Sequence, residues 1–190
     1  MKKKIAIFIS GRGSNMQAIV EQCQRGMLKN LAQVELVFAN KASAVGLEYA
    51  KSQGLETRCI NSKGLKRLDF DAKVIDLLSN YELDFIILAG YMRVLSSPFV
   101  QAYQGRIINI HPADTSLHQG LHAYEWAYEN QLAATKITVH FVDEGMDTGA
   151  VIAQASVDLK GVESLQDVEK RGLAVEHQFY SATLKSLFEA

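Results

Sequence analysis

Apolar residues along this chain follow two patterns that alternate from one end to the other. Runs of roughly four to eight mostly apolar residues, bounded by polar or glycine-containing turns, predict buried strands. Longer segments in which apolar residues recur every three or four positions predict amphipathic helices. The predicted strands are 5–9, 34–39, 57–60, 84–90, 107–110, 137–142 and 151–157. The predicted helices are 15–24, 45–53, 67–80, 122–130 and 164–189.

The order of these elements predicts the fold class. Strands that alternate with amphipathic helices favour an α/β architecture, a doubly wound and mostly parallel sheet with helices on both faces. The strand at 84–90 is almost wholly apolar and is expected near the centre of the sheet. No helix is predicted between 137–142 and 151–157, so we expect these last two strands to be antiparallel. With 190 residues, 48% of them hydrophobic, we expect a single domain over 1–190.

The charge and the apolar content of the chain indicate which kinds of molecule it binds. Twenty basic and 21 acidic residues give a net charge of -1, and no basic block follows the three lysines at 2–4, which disfavours a nucleic-acid surface. The apolar run at 5–9 is too short for a signal peptide, and no stretch is long enough to cross a bilayer. Cys23 and Cys59 lack metal spacing and are interpreted as small buried residues. We expect a cytoplasmic protein, a monomer or homodimer, that binds small molecules and neither nucleic acid nor membrane.

The first turn of the predicted sheet has the chemistry of a phosphate site. Gly11 and Gly13 allow backbone N–H groups to face a ligand, and the following helix presents its positive end. The dinucleotide fingerprint requires a third glycine where Met16 stands, and no Walker lysine follows, so a single phosphate is favoured. The alternative is an ordinary strand-to-helix turn capped by Ser14 or Asn15.

A second candidate site is formed by Asn109 and His111 at the end of the strand at 107–110. Their spacing places both side chains on one face, and Pro112 keeps the backbone of His111 extended. An amide donor beside an imidazole suits a developing oxyanion at an acyl centre. Asp147, in the acidic turn before the last strand, is the carboxylate that could keep His111 protonated near neutral pH. A hydrogen-bonded core histidine and a solvated acidic turn are the alternatives.

The remaining histidines carry less functional signal. His118 and His122 have helical spacing, but no third ligand stands near them, so we expect no metal. His140 alternates with apolar neighbours and is interpreted as a hydrogen-bonded strand histidine.

Five segments of the chain together resemble the phosphoribosylglycinamide formyltransferases, a branch of the folate-dependent formyltransferases. They are "ISGRGSNMQAI", "VFANKASAVGLEYA", "LAGYMRVLS", "NIHP" and "VHFVDEGMDTGAVI", and the similarity extends from about residue 5 to about residue 188. The resemblance implies a Rossmann-like formyltransferase fold. It also implies transfer of a formyl group from 10-formyltetrahydrofolate to the amine of 5-phosphoribosylglycinamide, the third step of purine synthesis.

The resemblance also implies a role for each matching residue. The substrate phosphate would be held by Gly13, Ser14 and Asn15, and Glu176 would lie near the sugar and glycinamide end. The catalytic residues would be Asn109, His111 and Asp147, without a metal. The folate pocket would be lined by Met92, Arg93, Val94, Leu95 and Asn109, with Arg67 reaching the folate tail.

Two departures from the family pattern bear on the acceptor. The family usually continues the His-Pro pair with Ser-Leu-Leu-Pro, whereas this chain has "ADTS" at 113–116. A glycine is usual before "TVHF", where Lys136 and Ile137 stand instead.

The open alternatives are a formyltransferase for amino-sugar nucleotides, a formyltetrahydrofolate hydrolase, a methionyl-tRNA formyltransferase and a phosphate-binding module without activity. The hydrolases and the tRNA enzymes carry an additional domain, which 190 residues do not accommodate.

Overall fold

The structure, a computed structural model, describes residues 1–190 and contains seven strands and six helices. The strands are β1 (Lys3–Ile9), β2 (Ala32–Ala39), β3 (Thr57–Cys59), β4 (Phe85–Leu88), β5 (Ile107–His111), β6 (Ala134–Phe141) and β7 (Val151–Asp158). The helices are α1 (Ser14–Arg25), α2 (Gly46–Ser52), α3 (Arg67–Leu78), α4 (Ser97–Ala102), α5 (Ala123–Glu129) and α6 (Leu165–Glu189). No helix is both long enough and apolar enough to span a membrane.

All seven strands form one sheet in the order β3-β2-β1-β4-β5-β6-β7. Strands β1 to β5 pair with one another in parallel, while β6 is antiparallel to both β5 and β7. This confirms the doubly wound, mostly parallel sheet and the antiparallel final pair. The apolar strand β4 lies in the middle of the order, as expected from its composition.

Helices cover both faces of the sheet, because successive apolar side chains of β1 point to opposite faces and both must be buried. Ile5, Ile7 and Ile9 point into a core of buried side chains shared with α1, α2, α5 and α6. Ala6 and Phe8 point to the opposite face, into a second core shared with α3 and α4. The period of two along the strand therefore separates two apolar layers.

Three features differ from the expectations. Helix α4 was not predicted, because its six residues are fewer than two turns and show no periodicity. Strand β6 begins three residues early, because Ala134 already pairs with Asp158 on β7. Cys59 is exposed on the edge strand β3 rather than buried, and Cys23 is half-buried, which raises the pKa of its thiol to about 12.

The strand order places the site. The chain runs outward from β1 to β3 and returns to β4 on the other side of β1, so a crevice opens between the carboxyl ends of β1 and β4. Ligands of doubly wound sheets bind at such a switch point. The loops that follow β1, β4 and β5 meet there.

Candidate active site

A cavity of about 740 Å³ opens at the carboxyl ends of the central strands. The loops after β1, β4 and β5, the loop between β6 and β7, and the facing sides of α5 and α6 form its wall. The lining includes all the predicted site residues except Arg67: Gly13, Ser14, Asn15, Met92, Arg93, Val94, Leu95, Asn109, His111, Asp147 and Glu176.

The loop after β1 presents donors at the start of α1. Gly13 occupies the N-cap position in the left-handed region, with φ 70°, and Gln17 N–H donates to its carbonyl oxygen. The N–H groups of the first helical turn, beginning at Ser14, have no intrahelical acceptor, and the helix dipole makes this end of α1 partly positive. The side chains of Arg12 and Lys41 also line the cavity and add positive charge. The interpretation of Ser14 or Asn15 as the N-cap was wrong, because no side chain caps this helix.

The side chain of Asn15 has a different partner from the predicted phosphate. Its Nδ2 donates to Glu176 Oε2 at 2.5 Å, and the Tyr124 hydroxyl donates to Glu176 Oε1. Burial raises the pKa of Glu176, while these two hydrogen bonds act in the opposite direction. Gly172, one turn earlier on α6, makes room for the Tyr124 ring. Oδ1 is a buried acceptor and cannot bind an anion, so the donors that Asn15 retains are its backbone N–H and the second N–H of Nδ2.

Asp147 is held at the centre of the polar group by the turn that follows β6. Its backbone lies in the left-handed region, with φ 53°, which aspartate and asparagine adopt more readily than most other residues with a side chain. The turn also requires Gly149, because a Cβ there would lie 1.8 Å from the carbonyl oxygen of Phe141. Gly120 N–H donates to Asp147 Oδ2 at 2.9 Å, and Asn109 Nδ2 donates to Oδ1 at 3.2 Å. Two chain segments thus hold the carboxylate inward.

His140 is the hydrogen-bonded strand histidine that the sequence predicts, and it also belongs to this group. Its Nδ1 lies 2.8 Å from the carbonyl oxygen of Phe141, and its Nε2 lies 3.3 Å from Asn109 Nδ2. Its Nε2 also lies 3.4 Å from Asp147 Oδ1. Burial acts to raise the pKa of Asp147, but His140, the Gly120 N–H and His111 outweigh it and hold this pKa below its usual value.

His111 is buried between two acceptors. Its Nδ1 lies 3.4 Å from Asp147 Oδ2, and its Nε2 lies 3.1 Å from the carbonyl oxygen of His118. Burial lowers the pKa of His111 below 6.5, against the opposing effects of Asp147 and the His118 carbonyl. The expectation that Asp147 dominates the pKa of this ring is therefore corrected: burial outweighs the effect of the carboxylate. Both acceptors nevertheless favour the imidazolium once it forms.

An apolar wall lies on the other side of the cavity. Met92 and Val94 are exposed to it, and Leu95 anchors the loop in the core. The guanidinium of Arg93 lies 4.4 Å from the centre of the Phe70 ring, which fixes its orientation. Arg67, the first residue of α3, is exposed and does not line the cavity.

Comparison with known proteins identifies the family. The model of the formyl transferase family matches residues 3–184. The chain belongs to the formyl transferase family. A phosphoribosylglycinamide formyltransferase of Escherichia coli (strain K12) is 39% identical over 177 residues, which are 93% of this chain and 82% of that protein. A solved structure of phosphoribosylglycinamide formyltransferase from Bacillus halodurans matches with a TM-score of 0.92 at 36% identity, covering 97% of this chain and 95% of that one.

Longer relatives contain a similar segment. The trifunctional purine biosynthetic protein adenosine-3 of Homo sapiens is 38% identical over 185 residues, which are 97% of this chain. The chain spans 14–18% of the length of the trifunctional relatives that it matches.

Two residues of the candidate site, His140 and Tyr124, were not predicted from the sequence. His140 lies opposite Asn109 in the antiparallel ladder, and only the register of β5 and β6 reveals this. The polar positions 136, 138 and 140 on one face of β6 were the available signal. Tyr124 reaches Glu176 across 52 residues of sequence, and no local pattern indicates that contact.

Proposed function

We propose that this protein transfers a formyl group from 10-formyltetrahydrofolate to the amine of 5-phosphoribosylglycinamide in purine biosynthesis. One observation carries the proposal: the glycine turn at Gly13 and the group formed by Asn109, His111 and Asp147 line the same cavity as an apolar wall. Family membership supports it, and so does the similarity to phosphoribosylglycinamide formyltransferases of similar length.

The cavity suits two ligands of different chemistry. At one end, the backbone donors of Gly13 and Ser14, with Arg12 and Lys41 nearby, suit the phosphate of a ribonucleotide. At the other end, Met92 and Val94 offer apolar surface to a flat heterocycle. We therefore place the amine of the ribonucleotide and the formyl group of the folate between these ends, beside Asn109 and His111.

The reaction forms one C–N bond and breaks another. The neutral amine attacks the formyl carbon, and negative charge develops on the formyl oxygen. Asn109 Nδ2 lies 3.2 Å from Asp147 Oδ1 and 3.3 Å from His140 Nε2, and both contacts are long, so one N–H can turn to the substrate oxygen for about 1 kcal/mol. The C–N bond to the folate nitrogen then breaks, and that nitrogen receives the proton which the attacking amine loses.

His111 is the group that moves this proton. Burial lowers the pKa of His111, which favours a neutral ring that carries its proton on Nδ1, beside Asp147, and accepts the proton of the attacking nitrogen at Nε2. The imidazolium so formed is stabilised by Asp147 Oδ2 and stands beside the charged formyl oxygen. It then donates the proton to the departing folate nitrogen, which returns the ring to its neutral state.

A comparison of acceptors tests the proposal. Purified protein is given the formyl donor with the glycinamide ribonucleotide, with an amino-sugar nucleotide, or with water as the only acceptor, and the release of tetrahydrofolate is followed. We expect kcat/KM for the ribonucleotide to exceed that for the amino-sugar nucleotide by at least about 10³, because the latter lacks the matching phosphate position. Release in water alone at an equal rate would identify a hydrolase, and no release with any acceptor would favour a binding module.

A further inference from the structure

A second polar group, which we call the loop clamp, joins the loop after β5 to the outer strands. It consists of Asp114, Lys136, Gln154 and Thr138. Lys136 Nζ lies 2.7 Å from Asp114 Oδ2 and donates to Gln154 Oε1 at 3.2 Å. Gln154 Nε2 donates to Asp114 Oδ1 at 3.3 Å and to Thr138 Oγ1 at 3.0 Å. Thr138 Oγ1 in turn donates to the carbonyl oxygen of Ala113 at 2.6 Å.

The loop clamp continues the polar row that carries the catalytic group. Positions 136, 138 and 140 share one face of β6, and in the ladder Asn109 pairs with His140 and His111 with Thr138. Gln154 on β7 pairs with Thr138, so the row extends to the edge of the sheet. The side chain of Asp114 is only 15% exposed, and the Lys136 ammonium holds the pKa of this carboxyl well below its usual range.

The clamped loop supplies two backbone groups to the catalytic side chains. Asp114 lies where the loop turns, and its carbonyl oxygen accepts from His118 N–H at 3.0 Å. The carbonyl of His118 then lies 3.1 Å from His111 Nε2, and Gly120 N–H donates to Asp147. Both contacts depend on where the segment from 114 to 120 lies over the sheet.

We propose that Lys136 and Asp114 are positioning residues, which hold the loop so that the His118 carbonyl and the Gly120 N–H orient His111 and Asp147 for transfer. This inference rests on the proposed formyl transfer. Neither residue lines the cavity, so each acts through the loop and not on substrate.

A matched pair of lysine variants tests the proposal. Lys136→Met keeps the length of the side chain and removes the ammonium. Lys4→Met is the control, because Lys4 is paired with Glu82 at the same 2.7 Å and is exposed to 44% against 46% for Lys136. We expect Lys136→Met to lower kcat roughly 10- to 100-fold while both KM values change little, since misplaced catalytic groups act on the chemical step. Lys4→Met should leave kcat unchanged.

An NMR pH titration of the His111 ring gives a readout that does not need activity. The titratable groups that face this ring are Asp147, His118 and His140. Removing the Lys136 charge alone would raise the midpoint slightly, whereas losing the His118 carbonyl from Nε2 lowers it. We expect a lower midpoint in Lys136→Met. We also expect the Asp114→Asn/Lys136→Met double variant to lose no more kcat than the worse single variant, as residues acting through one contact do.

The outcomes separate this inference from the proposed function. If the kcat of Lys136→Met stays within about twofold of the parent, the inference is overturned, because misplaced catalytic groups cause a much larger loss. An unchanged or raised titration midpoint of His111 in this variant also overturns it. Losses that multiply in the double variant overturn it as well. Failure of the unmodified protein to transfer the formyl group refutes the proposed function, and the titration midpoint then decides alone whether the clamp holds His111.

Discussion

Replacing Gly172 with alanine tests whether the close approach of α5 to α6 supports the buried carboxylate of Glu176. A Cβ at position 172 would lie 2.2 Å from the Tyr124 hydroxyl oxygen and 2.3 Å from its Cε1, where 3.4 Å is an ordinary contact. The ring would have to retreat by about 1 Å, because packed interiors leave no spare room. The hydrogen bond from Tyr124 to Glu176 would then be lost.

The balance of three effects decides the sign of the change in stability. In an unobstructed helix interior, glycine to alanine stabilises by about 1 kcal/mol. Overpacking costs about 1–3 kcal/mol, and a lost hydrogen bond to a charged group costs about 1.5–3 kcal/mol. We therefore expect Gly172→Ala to lower the free energy of unfolding by about 2–4 kcal/mol, together with a higher KM for the ribonucleotide.

Urea unfolding in two backgrounds measures this effect. In Tyr124→Ala the obstructing ring is absent, so adding Gly172→Ala should stabilise the protein by up to about 1 kcal/mol. The reversal of sign between backgrounds is the expected result. Stabilisation by Gly172→Ala in the parent, or an equal loss in both backgrounds, would refute the contact between Gly172 and Tyr124 as the cause.

Two further substitutions in the cavity, and one at Arg67 outside it, separate the proposed roles of these residues. Gly13→Ala places a side chain at φ 70°, with its Cβ 3.0 Å from the Met16 side chain. We expect the free energy of unfolding in urea to fall by about 1–2 kcal/mol and the KM for the ribonucleotide to rise. An equal rise in the KM for folate would show that the loop is only structural. Arg67→Ala should raise the folate KM in low salt and less in high salt, and an unchanged folate KM would leave Arg67 a solvated charge. Asp147→Asn removes the carboxylate that raises the pKa of His111, so the ring should take up its proton at lower pH in an NMR titration, and an upward shift would contradict the assignment.

The fold could be predicted because each element carries its own periodicity. The apolar strand β4 and the amphipathic helix α1 are visible in a window of a few residues, and their alternation implies the doubly wound sheet. Helix α4 escaped prediction because six residues are too few to show a period. Its first turn contains Pro98, which is compatible with a helix start but does not by itself indicate one.

The site could be predicted only where its residues stand next to a turn or a strand end. Asn109 and His111 share a face by spacing alone, which a sequence shows directly. The partners of these side chains depend on register and on long-range packing, so His140 was not placed in the site. The pKa of His111 was expected to rise, because the charge of Asp147 is visible in the sequence and the burial that outweighs it is not.

The fate of a labelled formyl carbon in a single turnover tests the central claim most directly. Protein in excess is mixed with carbon-13 formyl donor and the glycinamide ribonucleotide, and the reaction is stopped at intervals. We expect the label to pass from the folate to the ribonucleotide nitrogen without appearing on the protein, and the rate to fall roughly 10²–10³-fold in Asn109→Ala, the usual cost of one oxyanion donor. Label bound to the protein, or transfer by Asn109→Ala at the parent rate, would contradict direct transfer at Asn109, His111 and Asp147.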